Sequence, residues 1–448
     1  MPWNRKKNMK NKITVIVSCA FLIFIIIGLN GCQMFSGNKK KTVVKYWTGW
    51  TGEEMEVQKR LVKRFNEQHP DIEVKINTVA SSYEKVKIAF ASGGPPDVCS
   101  AIWADELASY AMRGALTPLD EYLKKSNRHG EEYMSGIWDM FHYGNHVWAL
   151  NVTTNSGFIV YNKKMFREAG LDPNKPPITT AEFDKVIEKL AKFDKNGNVI
   201  QFGFRPSGLT YWGLVFGGQW YDPKTRTVTA DNPNNIRALT WLKSFGKKYN
   251  LRKIDAFNSG FASGTYGDQY AGLYGLFTDK VAMLYTGEWS QEHIERYTSK
   301  DFEYGYFAPP YPEDGGKPKT QYVGGSVFVI PKDSKNKDAA WEFLNFMTQP
   351  EQVKEFCHEI KNIPPLVTVA QDTLFTSNPM FNFAIDLLSG KNSSGPPQMP
   401  TWPYYYSEMA RVEEKAVFSQ EDPKALLQAL RIKIQKDHDA AMRDAAYR

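Results

Sequence analysis

The sequence is short of cysteine: it has four in 448 residues, and Cys19 and Cys32 fall within the first 32. Only Cys99 and Cys357 remain for a folded body, so no disulfide framework is implied; one bridge and two separate buried thiols both stay open. Neither has a His or Cys at metal-ligand spacing, and neither a metal nor a cofactor is expected. The one calcium-like stretch, Asp194-Lys195-Asn196-Gly197-Asn198, has Arg205 where a bidentate Glu is needed at position 12, and reads as a turn. Catalytic signatures are missing as well: there is no G-x-S-x-G elbow, no H-E-x-x-H and no P-loop. The 49 acidic residues leave room for a glycosidase's carboxylate pair, but no local signature marks one. Internal repeats are absent. The formal charge of +7 argues poorly for nucleic acid, because Arg5, Lys6, Lys7, Lys10 and Lys12 cluster at the start with no acid among them. Without those five the balance is +2.

Those five basic residues head an apolar run from Ile13 to Ile27 that is interrupted only by Thr14 and Ser18. This is the length of a secretory signal and is short for a spanning helix of about 20 residues. It ends in Leu29-Asn30-Gly31-Cys32, which resembles the lipobox of bacterial lipoproteins, with Cys32 as the lipidated thiol. Residues 1–31 thus read as a lipoprotein signal peptide. The alternative, a membrane anchor with a chance cysteine, exports the rest equally. Residues 32–41, polar and lysine-rich, read as a flexible tether. The expected location is the outer face of the cell membrane.

A globular body from Thr42 onward is too long for one hydrophobic core, and two lobes are the default. Thr42–Thr48 reads as a strand, Met55–His69 as an amphipathic helix and Ile72–Asn77 as a strand. Helix and strand alternate again through Arg113, which indicates a parallel sheet covered on both faces. Val147–Tyr161 is a long extended run suited to crossing between lobes, and Tyr304–Val329 a second. Helical stretches are expected at 180–194, 234–249, 279–283, 289–299, 337–348, 350–359 and 421–448. Residues 390–403 read as an irregular loop running into three tyrosines.

YWTGW, LVKRFNEQHPDIEVKI, FASGGPPDVCSAIWADELASYAMRGALTPLDEYL, IVYNKKMFREAGLD, VAMLYTGEWS and GGSVFVIPKDSKNKDAAWEFLNFM, in this order behind a lipobox, resemble the extracellular solute-binding protein family 1. These are sugar-binding lipoproteins of bacterial ABC importers, similar in fold to maltose-binding protein. The resemblance covers essentially the whole chain. It implies an α/β, two-lobe periplasmic-binding-protein-like fold with discontinuous lobes, 42–152 with 322–361 and 153–321 with 362–448, joined by hinge crossings around a ligand cleft. It also implies a non-catalytic monomer that binds carbohydrate and delivers it to the importer's permease subunits. A rival reading keeps the fold and changes the solute to a polyamine, metal complex or peptide.

Sugars present C–H faces to aromatic rings and hydroxyls to planar polar groups, so candidate contacts are aromatics interleaved with Asp, Glu and Asn. Trp50 follows the first strand between glycine-containing turns. Tyr211 and Trp212 occupy a loop opened by Pro206 and Gly208, and Gly325 permits close backbone approach. The resemblance adds Trp103 and Asp105, although Asp105 would also suit a helix N-cap. It further adds Asn155, Glu288 with Trp289, and the C-terminal Trp402 and Tyr404.

Overall fold

The computed structural model describes residues 41–80, 83–261 and 271–446. Strand β1 (Thr42–Thr48) turns Val44, Tyr46 and Thr48 inward and leaves Val43 and Lys45 exposed, the period-two pattern of a pleated strand. Helix α1 (Gly52–Gln68) buries Met55, Gln58, Leu61, Val62 and Phe65 at helical spacing over it, and Glu53 and Glu54 suit the positive end of its dipole. Tyr46 fixes the contact, its hydroxyl bonded to Gln58 at 3.0 Å and Ser100 at 2.8 Å.

Strand β2 (Ile72–Thr78) runs parallel to β1 with Thr42 opposite Ile72, and β3 (Val98–Trp103) runs parallel on its other side with Tyr46 opposite Val98. The second sheet is built on β4 (Gly157–Asn162), flanked by β5 (Met283–Gly287) and β6 (Tyr304–Phe307), both antiparallel to it. From far along the chain β7 (Ser326–Val329) returns to complete the first sheet, antiparallel to β3, in the order β7-β3-β1-β2. The expected parallel arrangement thus describes three strands of the first sheet and not the second. There, β5 and β6 form a strand-helix-strand crossover through Ser290–Tyr297, and β4 enters between them in the opposite direction from the other lobe.

Three segments cross between the sheets side by side. Leu150 and Phe328 exchange backbone hydrogen bonds of 3.2 and 2.7 Å, and the Thr154 amide donates to the Ile363 carbonyl at 2.9 Å. The first two belong to the crossings expected from sequence; the third, at Ile363, adds to them. Gln321 ties the first pair, its side-chain oxygen accepting from the Ser156 hydroxyl at 3.0 Å and the Gly157 amide at 2.9 Å. Alternate residues of β4 face different cores. Phe158 and Val160 pack with the core that contains the first sheet, and Ile159 and Tyr161 pack with a second core that contains Trp212, Trp220 and Trp402.

Three local expectations differ. Residues 279–283 are not helical, because the helix Ala271–Phe277 ends before Asp279, whose φ of 57° turns the chain, and Met283 begins β5. The helix expected over 180–194 stops at Leu190, since Lys192–Phe193 pairs with Val199–Gln201 in a hairpin. Asp194 makes that hairpin's turn, accepting from the amides of Asn196 and Asn198 at 2.8 Å each. Finally, Trp402–Phe418 is a full helix, with Pro403 in its first turn where a missing amide donor costs nothing. Cys99 and Cys357 are both buried and unbridged, and the Cys357 thiol lies 3.1 Å from the Val152 carbonyl.

Candidate functional site

Where β4 and β5 end between the two sheets, Gly157 pairs with Gly287. A Cβ on Gly287 would stand 1.9 Å from the Trp289 ring, and one on Gly157 would stand 1.8 Å from the Tyr285 hydroxyl. Two aromatic rings therefore lie directly on two glycine backbones, a close approach that any side chain would block. Tyr211, on the helix Leu209–Val215, adds a third ring 5.0 Å from that of Tyr285, and its hydroxyl donates to the Thr320 carbonyl at 3.0 Å. With Trp103, Tyr322 and Tyr406 these rings line a cleft of about 830 Å³, which lies in the range of about 300–1,000 Å³ typical of small-molecule sites.

Gly157→Ala tests the platform. The clashing atom is the far end of a side chain that can swing, so the fold is expected to survive while Tyr285 leaves its seat. Affinity for a cleft ligand is expected to fall roughly tenfold, the equivalent of one aromatic contact of about 1.4 kcal/mol, in a calorimetric titration.

The polar groups are few. Asp105 lies inside a short 3₁₀ turn, Ala104–Glu106, whose N-cap is Trp103, so its carboxylate does not cap a helix. Its Oδ1 has no hydrogen-bond partner, and burial, reinforced by Glu106, pushes the carboxyl up to about 6. Asn258, also on the cleft wall, leaves its side-chain oxygen unpartnered. Arg205 is the cleft's one cationic side chain among the described residues. Three of its five N–H groups are engaged: Asp255 accepts at 3.0 and 3.3 Å and the Pro206 carbonyl at 2.6 Å.

Of the residues singled out from sequence, Trp103, Asp105, Asn155, Tyr211, Trp212, Trp289 and Gly325 line the cleft. Trp212 does so only at its margin; it is 2% exposed and packs on Trp241 at 4.6 Å. Four lie elsewhere. Trp50 is half-buried, its ring T-shaped against that of Phe356 at 5.5 Å. Glu288 is wholly buried at the crossings, accepting from the Ser156 amide at 3.1 Å. Trp402 is also wholly buried, donating to the Tyr322 hydroxyl at 3.2 Å from behind the wall. Tyr404 projects outward, with Lys433 5.2 Å from its ring centre. Helical rotation accounts for the last two: with Trp402 turned into the core, Tyr406, one turn on, reaches the cleft. Tyr285, Tyr322, Tyr406 and the Arg205–Asp255 pair were not singled out. The alternation Met283, Tyr285, Gly287 along β5 was the available signal for the first.

Residues 49–354 match the bacterial extracellular solute-binding protein family. The chain belongs to that family. It is similar to the maltotriose-binding protein of Pyrococcus abyssi, at 25% identity over 75% of this chain and 69% of the relative. The sn-glycerol-3-phosphate-binding periplasmic protein of Brucella abortus is 25% identical over 80% of this chain and 82% of its own. Among solved structures, CpMnBP1 with mannotriose bound superposes with a TM-score of 0.74 at 26% identity, covering 88% of this chain and 99% of that one. As a solute-binding protein the chain has the two-lobe α/β architecture of that structure. Among the described residues no helix is long and apolar enough to cross a membrane, and no group of three His, Cys, Asp or Glu could hold a metal. The leader expected over 1–31, Cys32 and all but the last residue of the tether lie outside the described residues.

Proposed function

We propose that this solute-binding protein is the lipid-anchored, extracellular capture component of an ABC importer. It takes a neutral oligosaccharide into the cleft, closes about the crossings and hands the sugar, unchanged, to permease subunits. The observation that carries the reading is the lining of the cleft: several aromatic rings with a few planar polar groups, and one cation already neutralised by Asp255. Aromatic faces take the C–H side of a pyranose, while the unpaired oxygens of Asp105 and Asn258 accept from hydroxyls. A phosphorylated solute such as glycerol phosphate would need an unpaired cation or an array of amides. The charge of Arg205 is balanced by Asp255, and Asp105 adds negative charge. A catalytic reading gains nothing from Asp255, which is held by Arg205 instead of standing ready to transfer a proton.

The test is a thermal-shift screen against neutral mono- and oligosaccharides, with glycerol phosphate and a polyamine alongside, since a ligand of the native state raises the melting temperature by mass action. A rise of several degrees with an oligosaccharide recovered intact is expected. A shift with glycerol phosphate alone, or cleavage of the sugar, would overturn the proposal.

A further inference from the structure

The cleft wall has a second cavity against it. About 200 Å³ in volume, it is bounded by Leu214, Gln219, Trp220, Ser394 and Gln398, and it shares Tyr322 with the cleft. The loop after Ser394 faces both spaces, contributing Pro396 to the cleft and Gln398 to the side pocket. Tyr322 lines both cavities, so its phenol forms part of the wall between them. At about 30 Å³ per water the pocket has room for roughly six or seven waters, which suits one sugar ring and not a chain.

Its polar groups are suited to a hydroxylated occupant. Gln398 donates from its amide nitrogen to the Met140 and Pro396 carbonyls at 3.1 and 3.3 Å, yet its side-chain oxygen is buried without a partner. A buried acceptor left unpaired costs about 1–3 kcal/mol, and a hydroxyl donor from a ligand would remove that cost. The Tyr322 hydroxyl accepts from Trp402, which leaves its own hydrogen to donate. The partition sits within the run of cleft residues and not at its end. Tyr322 pairs with Ser394 across the pocket's rim, Asp105 and Tyr406 lie near its phenol on the cleft side, and Tyr211 is bonded two residues away at Thr320.

We propose that this side pocket is a second carbohydrate subsite, reached past Tyr322, that takes the branch ring of an oligosaccharide whose main chain lies in the cleft. This rests on the reading of the cleft as a sugar site. It accounts for a cavity set at the side of the wall, where a branch leaves a chain, and for the unpaired oxygen of Gln398, a residue of its lining.

The experiment is calorimetric titration of the full chain with matched linear and singly branched manno- and gluco-oligosaccharides of three and four rings. Gln219→Trp and Ser394→Phe, each at an exposed position on the pocket's rim, serve as pocket-filling variants. A branched member is expected to bind at least tenfold tighter than its linear isomer. Each filling variant is expected to abolish that difference while leaving the linear isomer within threefold of wild type. Equal binding of the isomers, tighter binding of the linear one, or a preference for the branched member that survives both variants would overturn the subsite and leave the cleft reading standing. If no member of the panel binds the wild-type chain, the sugar reading of the cleft falls, and the subsite with it.

Discussion

Trp289→Ala is expected to weaken oligosaccharide binding roughly thirty- to hundredfold while barely moving the melting temperature of the unliganded protein. The ring lies on Gly287 at the cleft wall and is partly exposed there, so one face is available to a ligand. An aromatic side chain buries about 150–250 Å² in all; if roughly half of that is covered by a sugar, the loss at about 25 cal/mol per Å² is on the order of 2–3 kcal/mol, which is the affinity ratio given. The backbone has no stake in the ring, because Trp289 has helical φ and ψ and its carbonyl, which accepts from His293 at 3.1 Å, is kept by alanine. Trp289→Phe should recover part of the affinity, since a smaller face still stacks. The measurement is titration of both variants with the tightest oligosaccharide of the screen. An unchanged dissociation constant for the alanine variant would remove Trp289 from the site.

The contrast between Trp289 and Glu288 illustrates what sequence could and could not convey. Gly-Glu-Trp marks a loop of consequence, yet adjacent residues at a strand end point in opposite directions, and which of the two meets solvent depends on the pairing of β5 with β4. The same ambiguity, with helical rotation in place of strand alternation, separates Tyr406 from Tyr404. Elements with a strong local period were legible: the inward side of β1, the stripe of α1, and the extended crossings with their lack of helical spacing. The antiparallel second sheet was not, because strand direction there depends on partners more than a hundred residues away. Nor was the Arg205–Asp255 pair, whose members are 50 positions apart and carry no pattern until the fold brings them within 3.0 Å.

The discrimination proposed for the cleft follows from the same pair. An arginine that faces a ligand cavity is ordinarily an anion receptor, because its planar fork matches phosphate and carboxylate. Here the fork bonds Asp255 and a backbone carbonyl, so a phosphate would meet a neutral pair with an acid, Asp105, on the same cleft wall. The negative faces of the rings also disfavour an anion, and selectivity among neutral solutes then lies with the polar groups around them.

Glu288→Gln is expected to make the protein more stable at alkaline pH, by on the order of 5 kcal/mol near pH 9, and no more stable near pH 4. Burial pushes the Glu288 carboxyl from 4.5 up to about 8, against smaller opposing effects of the Ser156 and Ile363 amides. A raised acid means that the native state holds one more proton than the unfolded chain between those two values. Stability from this group is therefore complete below about 4.5 and declines as pH rises to about 8. About three and a half units at 1.36 kcal/mol each give the stated magnitude. Glutamine keeps an oxygen for the Ser156 amide and cannot ionise, so its curve lacks this decline. The one titratable neighbour identified at the carboxylate is the Cys357 thiol, itself raised by burial and by Glu288, and it stays neutral across the range. Urea unfolding of both proteins from pH 4 to 9 provides the check; parallel curves would mean that the Glu288 carboxyl titrates at the same pH folded as unfolded. The position gives the result a functional edge. Glu288 accepts from Ser156 on the first crossing, Gln321 on the second bonds the same serine, and Ile363 is the third crossing. A proton lost from this carboxyl loosens the segments about which the lobes would close, so wild-type affinity for the sugar should decline above pH 8 and the glutamine variant should retain it.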